Sequence, residues 1–524
     1  MRLFFRRGAA GIPIFAVMFA ALSFAAIAAD SPVGQLRATF SGAPRMLIRA
    51  DRMLDSGALA RFYALRQFQL AWSGSAANQQ RADTVITRLE HADEDGLEPA
   101  DYRATELPGL RARGDVVEFD LVLTDALIHY ARDLRTGRSA VGFVDRDVAL
   151  PPVNFDAVQA VADLFQQTDF SAGLAALAPP HREYAQLKKA LAQYREIFAT
   201  GGWPAVPDLR KVALDGDEEQ LLLLRKRLAI EDPAASPENG DLKAAVKRFQ
   251  ARNGLEPDGR VGVQTLAALN VPVTDRIDQI KANMERWRWL GAFEPAYIAV
   301  NIPEAQLIVH REGQIVLTSR VIVGKPKTPT PIFRALVVGV TANPPWNVPT
   351  AIARHEILPK LRRNPDYLAQ HHMIFVESGG IRQLPGADNA LGTLKLEMPN
   401  QFDTYLHDTP TKALFVRYAR YFSHGCMRVE LIMPLASIVL TGDDTSAITA
   451  LQNAIATGTT QHLTVAKQLP VYVLYWTAVA NEDDNVTFLP DIYGRDRRLI
   501  AALHGLQPKH FATLNGTSCE VSHG

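Results

Sequence analysis

The sequence predicts a multidomain protein: an α-helical N-terminal scaffold, a small three-helix module, and a β-rich, β-sandwich-like C-terminal domain with a helical lid insertion. Three observations predict it. Apolar residues recur every three to four positions from about residue 50 to 200. Three short helical segments then share Leu, Val and Phe positions between 216 and 272. From Tyr297 the texture turns to alternating apolar and small or polar residues. A length of 524 residues suits two to four domains. Hydrophobic content of 47% against 21% charged residues is ordinary for a globular chain.

The N-terminus stands apart. Arg2, Arg6 and Arg7 precede a nearly all-apolar, uncharged run from Ile12 to Ile27, and Ala26-Ile27-Ala28 fits a small-residue cleavage site before Asp30. This is the pattern of a secretory signal peptide over 1–28, with an uncleaved membrane anchor as the alternative reading. The residues around Arg6-Arg7 do not support a twin-arginine signal, and no cysteine follows the run to carry a lipid. No later segment reaches the roughly 18 uncharged apolar residues of a membrane span. Without the three signal Arg, 53 basic groups face 56 acidic ones. That balance argues against a nucleic-acid partner, which calls for a basic footprint.

Residues 29–49 read as a linker. Over 50–203, Leu59, Phe62, Leu65, Phe68 and Leu70 mark one helix face, and Leu121, Leu123, Leu127, Ile128 and Ala131 another. Asp93-Glu94-Asp95-Gly96 lacks the spacing and closing Glu of a calcium loop and reads as a turn between helices. Phe155 to Leu177 and Tyr184 to Phe198 continue the helical pattern. Pro204 to Asp217 marks a boundary. In the module at 216–272, Asp241 caps a helix bearing Leu242, Val246 and Phe249. Asn253-Gly254 stops that helix and Asp258-Gly259 makes a tight turn.

The third domain spans 276–482. An amphipathic helix from Arg276 to Leu290 leads into strands at Tyr297–Ile302, Gln306–His310, Ile315–Val323 and Leu336–Val340. Further strands are expected at Thr393–Glu397, Asp403–Leu406 and Val471–Val479, with a helix at Leu431–Leu440. The lid insertion covers about 350–392. Residues 483–524 read as a tail.

The chemistry concentrates in Tyr421-Phe422-Ser423-His424-Gly425-Cys426-Met427-Arg428-Val429. Cys426 is one of two cysteines; the other, Cys519, sits in a polar terminal stretch, so a reactive Cys426 is favoured over a bridge. A thiol with its ordinary pKa of about 8.5 is only slightly ionised at neutral pH and needs a base and oxyanion donors. Two imidazoles offer themselves. His424 lies two positions away, on the same face if the stretch is extended. His407 follows a strand-like segment at hairpin distance. Residue spacing alone leaves both open.

Two resemblances sharpen this reading. Asp241-Leu242-Lys243-Ala244-Ala245-Val246-Lys247-Arg248-Phe249-Gln250, Gly254 to Gly259 and Gly262 to Leu269 resemble the peptidoglycan-binding module of bacterial wall enzymes. Tyr405-Leu406-His407-Asp408-Thr409 together with Ser423-His424-Gly425-Cys426-Met427-Arg428-Val429 is similar to the signature of L,D-transpeptidases with a YkuD-type catalytic domain. Asn343-Pro344-Pro345-Trp346-Asn347-Val348-Pro349, Pro385-Gly386 and Asn389-Ala390-Leu391-Gly392 look like the periplasmic YcbB-type branch. Many members carry Asn where this chain has Arg428; that branch carries Arg.

The resemblance implies Cys426 as nucleophile and His407 as general base, later acid, with the Asp408 carbonyl orienting the ring. Gly425 and Cys426 backbone N–H groups, with Tyr405, would form the oxyanion hole. Ser423, His424, Arg428, Trp346, Asn347, Asn389 and Gly392 would bind substrate or support the site. Peptidoglycan tetrapeptide stems would serve as donor and acceptor in the periplasm, giving 3→3 cross-links and releasing D-Ala. Neither metal nor cofactor is implied; association with other cell-wall enzymes is. Water as acceptor, or a wall-binding scaffold without catalysis, are the alternative functions.

Overall fold

The computed structural model describes residues 31–41, 47–49, 52–139, 147–208, 218–232, 241–377, 379–442, 445–481 and 485–505. The expected signal peptide and Cys519 lie outside them. Two compact units emerge. The first holds the chain up to Thr136 with Asn154–Pro179; the second holds Gly137–Val153 and everything from Pro180.

The first unit is helical. Helices Ser56–Leu65, Ala76–Glu90, Val116–Thr136 and Ala157–Leu164 carry its apolar core. The stretch expected as a linker contains a helix, Pro32–Phe40, whose Ser31 cap accepts from Gly34 N at 3.1 Å, and a strand, Leu47–Arg49. The helix through Leu59 stops at Leu65, because Gln67 and Phe68 take φ of 54° and 62°. Buried Asp120 holds the turn that follows, accepting from Ala71 N (2.9 Å), Trp72 N (3.0 Å) and Tyr63 Oη (2.7 Å). Asp93 to Gly96 is the expected turn, a 3₁₀ segment closed by Gly96 at φ 69°.

In the second unit, helices Glu218–Glu231, Leu242–Arg252 and Val263–Leu269 surround a core of Leu221, Leu224, Leu228, Leu242, Val246, Phe249 and Leu269. Asp241 caps the middle helix through Ala244 N at 3.1 Å. Helix Arg182–Ala199, expected to close the scaffold at 203, belongs instead to this unit. It packs on helix Val273–Arg288, where the Arg288 guanidinium donates to Tyr184 Oη at 3.0 Å. Periodicity announces a helix and a buried face, but not which neighbour covers that face.

Eight strands form the main sheet: β1 (Ala296–Asn301), β2 (Gln306–Arg311), β3 (Gln314–Gly324), β4 (Ile332–Ala342), β5 (Leu394–Glu397), β6 (Leu406–His407), β7 (Met427–Val429) and β8 (Gln461–Leu474). They pair in the order β5-β6-β7-β3-β2-β1-β8-β4, and β4 pairs again with β5. The sheet therefore closes on itself, a tighter arrangement than two facing layers. Two short strands join it from outside this ring, Val148–Ala149 on β4 and Tyr421–Ser423 on β3, both parallel.

The insertion is more than helices. Segments Thr350–Ile352, Ala353–Ile357, Leu358–Arg363 and Tyr367–Gln370 pack over a three-stranded sheet of Trp346–Asn347, Ile381–Gln383 and Met373–Phe375. They share a core of Val348, Ile357, Leu368, Met373 and Ile381. The expected tail is structured through residue 505. Strand Val486–Phe488 pairs with Ala478–Ala480, and helix Arg495–Leu503 packs on Val273–Arg288 with Arg286 and Asp496 paired at 2.5 Å.

Candidate active site

The site is built on three short strands. β6 runs parallel to β7 with Leu406 opposite Met427 and His407 opposite Arg428. β6 runs antiparallel to β5 with Lys395 opposite His407. Leu394, Leu396, Leu406, Met427 and Val429 are fully buried on one face. Alternation then sets Lys395, Tyr405, His407 and Arg428 on the other. The ladder continues past the strand end, where Met427 N donates to the Tyr405 carbonyl at 3.0 Å. Cys426, one residue before β7, is thereby held beside β6, and its sulfur bears electrostatically on Arg428. The thiol sits 3.9 Å from the Asp403 carbonyl.

The parallel pairing corrects the hairpin expected between His407 and Cys426. The 18 residues between them form a crossover with a 3₁₀ turn, Lys412–Val416, and the strand Tyr421–Ser423. Parallel strands need such a connection, since a tight turn would reverse the chain.

The Cys426 loop is clamped from the Pro-punctuated segment after β3. Lys325 N and Thr328 Oγ1 both donate to the Ser423 carbonyl, at 3.0 and 3.1 Å. Thr330 Oγ1 accepts from Gly324 N at 2.9 Å and donates to the Gly425 carbonyl at 2.8 Å. Tyr493 closes the clamp, its hydroxyl donating to the Gly324 carbonyl at 2.5 Å. Ser423 Oγ accepts from Gly425 N at 3.1 Å and donates to the Cys426 carbonyl at 2.6 Å. The Gly425 N–H, expected in the oxyanion hole, is thus engaged by Ser423. What Gly425 supplies here is its φ of +119°, a conformation closed to other residues without strain.

His407 is buried, and its Nδ1 has no hydrogen-bond partner among the described residues. Burial first, then the Arg428 charge, push the imidazole down to about 3, against the opposing pull of the Asp408 and Leu391 backbone and the Asp408 charge. The ring is therefore neutral at physiological pH, with a free lone pair available to accept a proton. The Tyr405 ring stands edge-on to it at 5.6 Å. The Asp408 side chain turns away. Its Oδ2 accepts from Thr393 N and Thr393 Oγ1, both at 2.9 Å, and its other oxygen pairs with Lys412. Burial raises the Asp408 carboxyl, but Lys412 and these donors outweigh it and hold the group below its usual range.

Gly392 supports this arrangement. A Cβ there would lie 2.5 Å from the Asp408 side chain, and its φ is +64°. Asn389, fully buried, brackets the preceding loop: its amide donates to the Leu384 carbonyl at 2.9 Å and its oxygen accepts from Leu391 N at 2.8 Å. Trp346 packs against the core of the insertion, and Asn347 accepts from Arg382 Nε at 2.7 Å. Those contacts make both residues parts of the insertion. His424 faces away from a base's task, with Nε2 2.6 Å from Glu356 Oε1 and 3.1 Å from Lys325 Nζ.

Four neighbours escaped sequence reasoning: Lys325, Thr330, Glu356 and Lys395. The Pro326, Pro329 and Pro331 punctuation beside Gly324 was the available signal for the first two. Glu356 and Lys395 carry none, since only tertiary contact and strand register bring them in.

Comparison with known proteins adds the following. Residues 295–459 match the L,D-transpeptidase catalytic domain family, YkuD. Residues 231–269 match a family described as "Putative peptidoglycan binding domain", and 57–191 a family described as "Scaffold domain". A Haemophilus influenzae protein named "Putative L,D-transpeptidase" is 35% identical over 241 residues, which cover 42% of this chain and 48% of that protein. The chain therefore spans about half the length of this curated relative. Among solved structures, an L,D-transpeptidase from Mycobacterium smegmatis is 14% identical, covering 34% of this chain and 58% of its own, at a TM-score of 0.20. One from Stackebrandtia nassauensis is also 14% identical, covering 48% and 88%, at 0.20.

Proposed function

We propose, for a chain that carries an L,D-transpeptidase catalytic domain at 295–459 and a peptidoglycan-binding domain at 231–269, that it forms 3→3 cross-links between peptidoglycan stem peptides through a thioester on Cys426. The observation that carries this reading is the pairing of β6 with β7, which brings a neutral, buried His407 on β6 alongside Cys426, the residue just before β7. In the first half-reaction Cys426 Sγ attacks the carbonyl joining an L-centre to a D-centre. His407 takes the thiol proton and delivers it to the departing D-Ala nitrogen. In the second, the side-chain amine of a diamino acid on another stem attacks the thioester carbonyl, the C–S bond breaks, and His407 passes the amine proton back to the Cys426 sulfur. With Gly425 N–H engaged, Cys426 N–H and the Tyr405 hydroxyl are the donors assigned to the oxyanion.

The order of scaffold, wall-binding module and catalytic domain with an insertion supports the YcbB-like branch. The signal-peptide pattern and a wall substrate support a periplasmic location, where stem peptides, and other cell-wall enzymes, would be its partners. The test is incubation of the full chain with a tetrapeptide stem, followed by intact-mass measurement and muropeptide analysis. An acyl adduct on Cys426, absent from Cys426→Ala, and a 3→3 linked product are expected. An adduct on the Ala variant overturns the nucleophile; trimmed stems without cross-links make water the acceptor.

A further inference from the structure

Lys395 belongs to no motif, yet strand register sets it directly opposite His407, whose other neighbour is Arg428. Residues in register across adjacent strands point to one face. The row Lys395–His407–Arg428 therefore crosses three strands on the face of the candidate base. Lys395 Nζ stands over the Tyr405 ring at 4.2 Å, and that ring meets His407. Neither cation makes an ion pair among the described residues. Glu397, two positions along from Lys395, turns its Oε1 to Thr341 and to His462 Nδ1 at 2.8 Å. Arg428 is half-buried and has no side-chain hydrogen bond among the described residues. Two cations held in no ion pair, beside a neutral imidazole, are set to receive an anion, which would form charge-assisted hydrogen bonds with both.

We propose that Lys395, with Arg428, receives the terminal α-carboxylate of the residue expelled from the donor. This rests on the acyl-transfer reading above. The chemistry places the carboxylate. In acylation the Sγ–C bond forms, the C–N bond breaks, and the thiol proton passes through His407 to the departing nitrogen. One carbon separates that nitrogen from its own α-carboxylate, so cations flanking the proton-donating ring are within reach of it. A donor ending in a carboxylate is thereby selected over one whose chain continues as an amide. Lys395 determines specificity and takes no part in the proton transfer.

The test measures acylation of Cys426 in the full chain with two synthetic stem tetrapeptides, one ending in a carboxylate and one in a carboxamide. The wild type favours the acid. Lys395→Gln raises KM for the acid donor about tenfold, the scale of one charged hydrogen bond, with little change in kcat. The preference falls by the same factor, and Lys395→Arg restores most of it. Equal slowing of both donors by Lys395→Gln, or no restoration by Lys395→Arg, overturns the proposal. Should the Gln variant not fold, the wild type decides through salt: a preference that does not shrink as salt screens the charges overturns it. A wild type acylated equally by both donors overturns the carboxylate receptor alone. A wild type acylated by neither overturns the acyl-transfer reading itself.

Discussion

The Glu356 carboxylate and the His424 imidazole meet at 2.6 Å, tying the inserted segment to the residue two positions before Cys426. Glu356 sits on a π-helical turn, Ala353–Ile357, a widened backbone form that concentrates at functional sites. Lys325 Nζ of the clamp stands 3.1 Å from the same His424 nitrogen, which can either donate to Glu356 or accept from Lys325. One imidazole thus lies where the insertion, the clamp and the Cys426 loop meet.

Glu356→Gln removes the carboxylate that meets His424 without changing shape. Both side chains are partly exposed, so global stability should fall by no more than about 1 kcal/mol. Local opening should change more. Amide exchange across 350–370 is expected to quicken while the main sheet stays protected. Unaltered exchange in that segment would show that the contact does not hold the insertion in place.

His407 sets a pH dependence whose sign is fixed. The unfolded imidazole titrates near 6.5 and the folded one at about 3. Between these values the unfolded chain binds the extra proton. Stability present above pH 6.5 is therefore lost as pH falls toward 3. His407→Gln removes this dependence, so its melting temperature should decline less than the wild type's between about pH 7 and pH 4. Parallel declines would place the acid sensitivity elsewhere.

Thr330→Val keeps shape and removes the hydroxyl that joins Gly324 N to the Gly425 carbonyl. Two buried backbone groups lose their partner, at a cost of about 1–3 kcal/mol. Cys426 acylation should slow along with that loss, because the loop holding the thiol is released. Thr330→Ser retains both bonds and should stay near the wild type in denaturant titration and acylation rate. A Val variant as fast as the Ser variant would dismiss the clamp.

Gly392→Ala drives a methyl into Asp408 at a positive φ. Overpacking of this kind costs about 1–3 kcal/mol. The displaced Asp408 follows His407, the base of the proposed reaction, so acylation should drop more than stability alone explains. Gly291, whose Cβ would meet nothing within 4 Å, supplies the control for a Gly→Ala change. Equal behaviour of the two variants would remove Gly392 from the site.

Much of the fold was legible because its signals are local. Period-3.6 runs marked the helices, alternation marked β1 to β4, and Asp241 announced its helix by capping chemistry. The failures share a cause. β6 is two residues long and β7 three, too short for a period to register. The turn after Leu65 kept a helical spacing because Phe68 and Leu70 still follow in rhythm, while Asp120, about fifty residues on, bends the chain. Helix Arg182–Ala199 showed its apolar face without showing what would cover it.

For the site, the sequence by itself determined the thiol, its glycine and the two competing imidazoles, since residue types and short spacings are written along the chain. Tertiary structure alone separated those imidazoles: it buried His407 beside β7 and engaged His424 with a glutamate 68 positions away. It also brought Thr330 to Gly425 across 95 positions and Lys395 to His407 across a strand pair. Hydrogen bonds and charges that close such long loops impose no period on the sequence, so only the folded chain decides them.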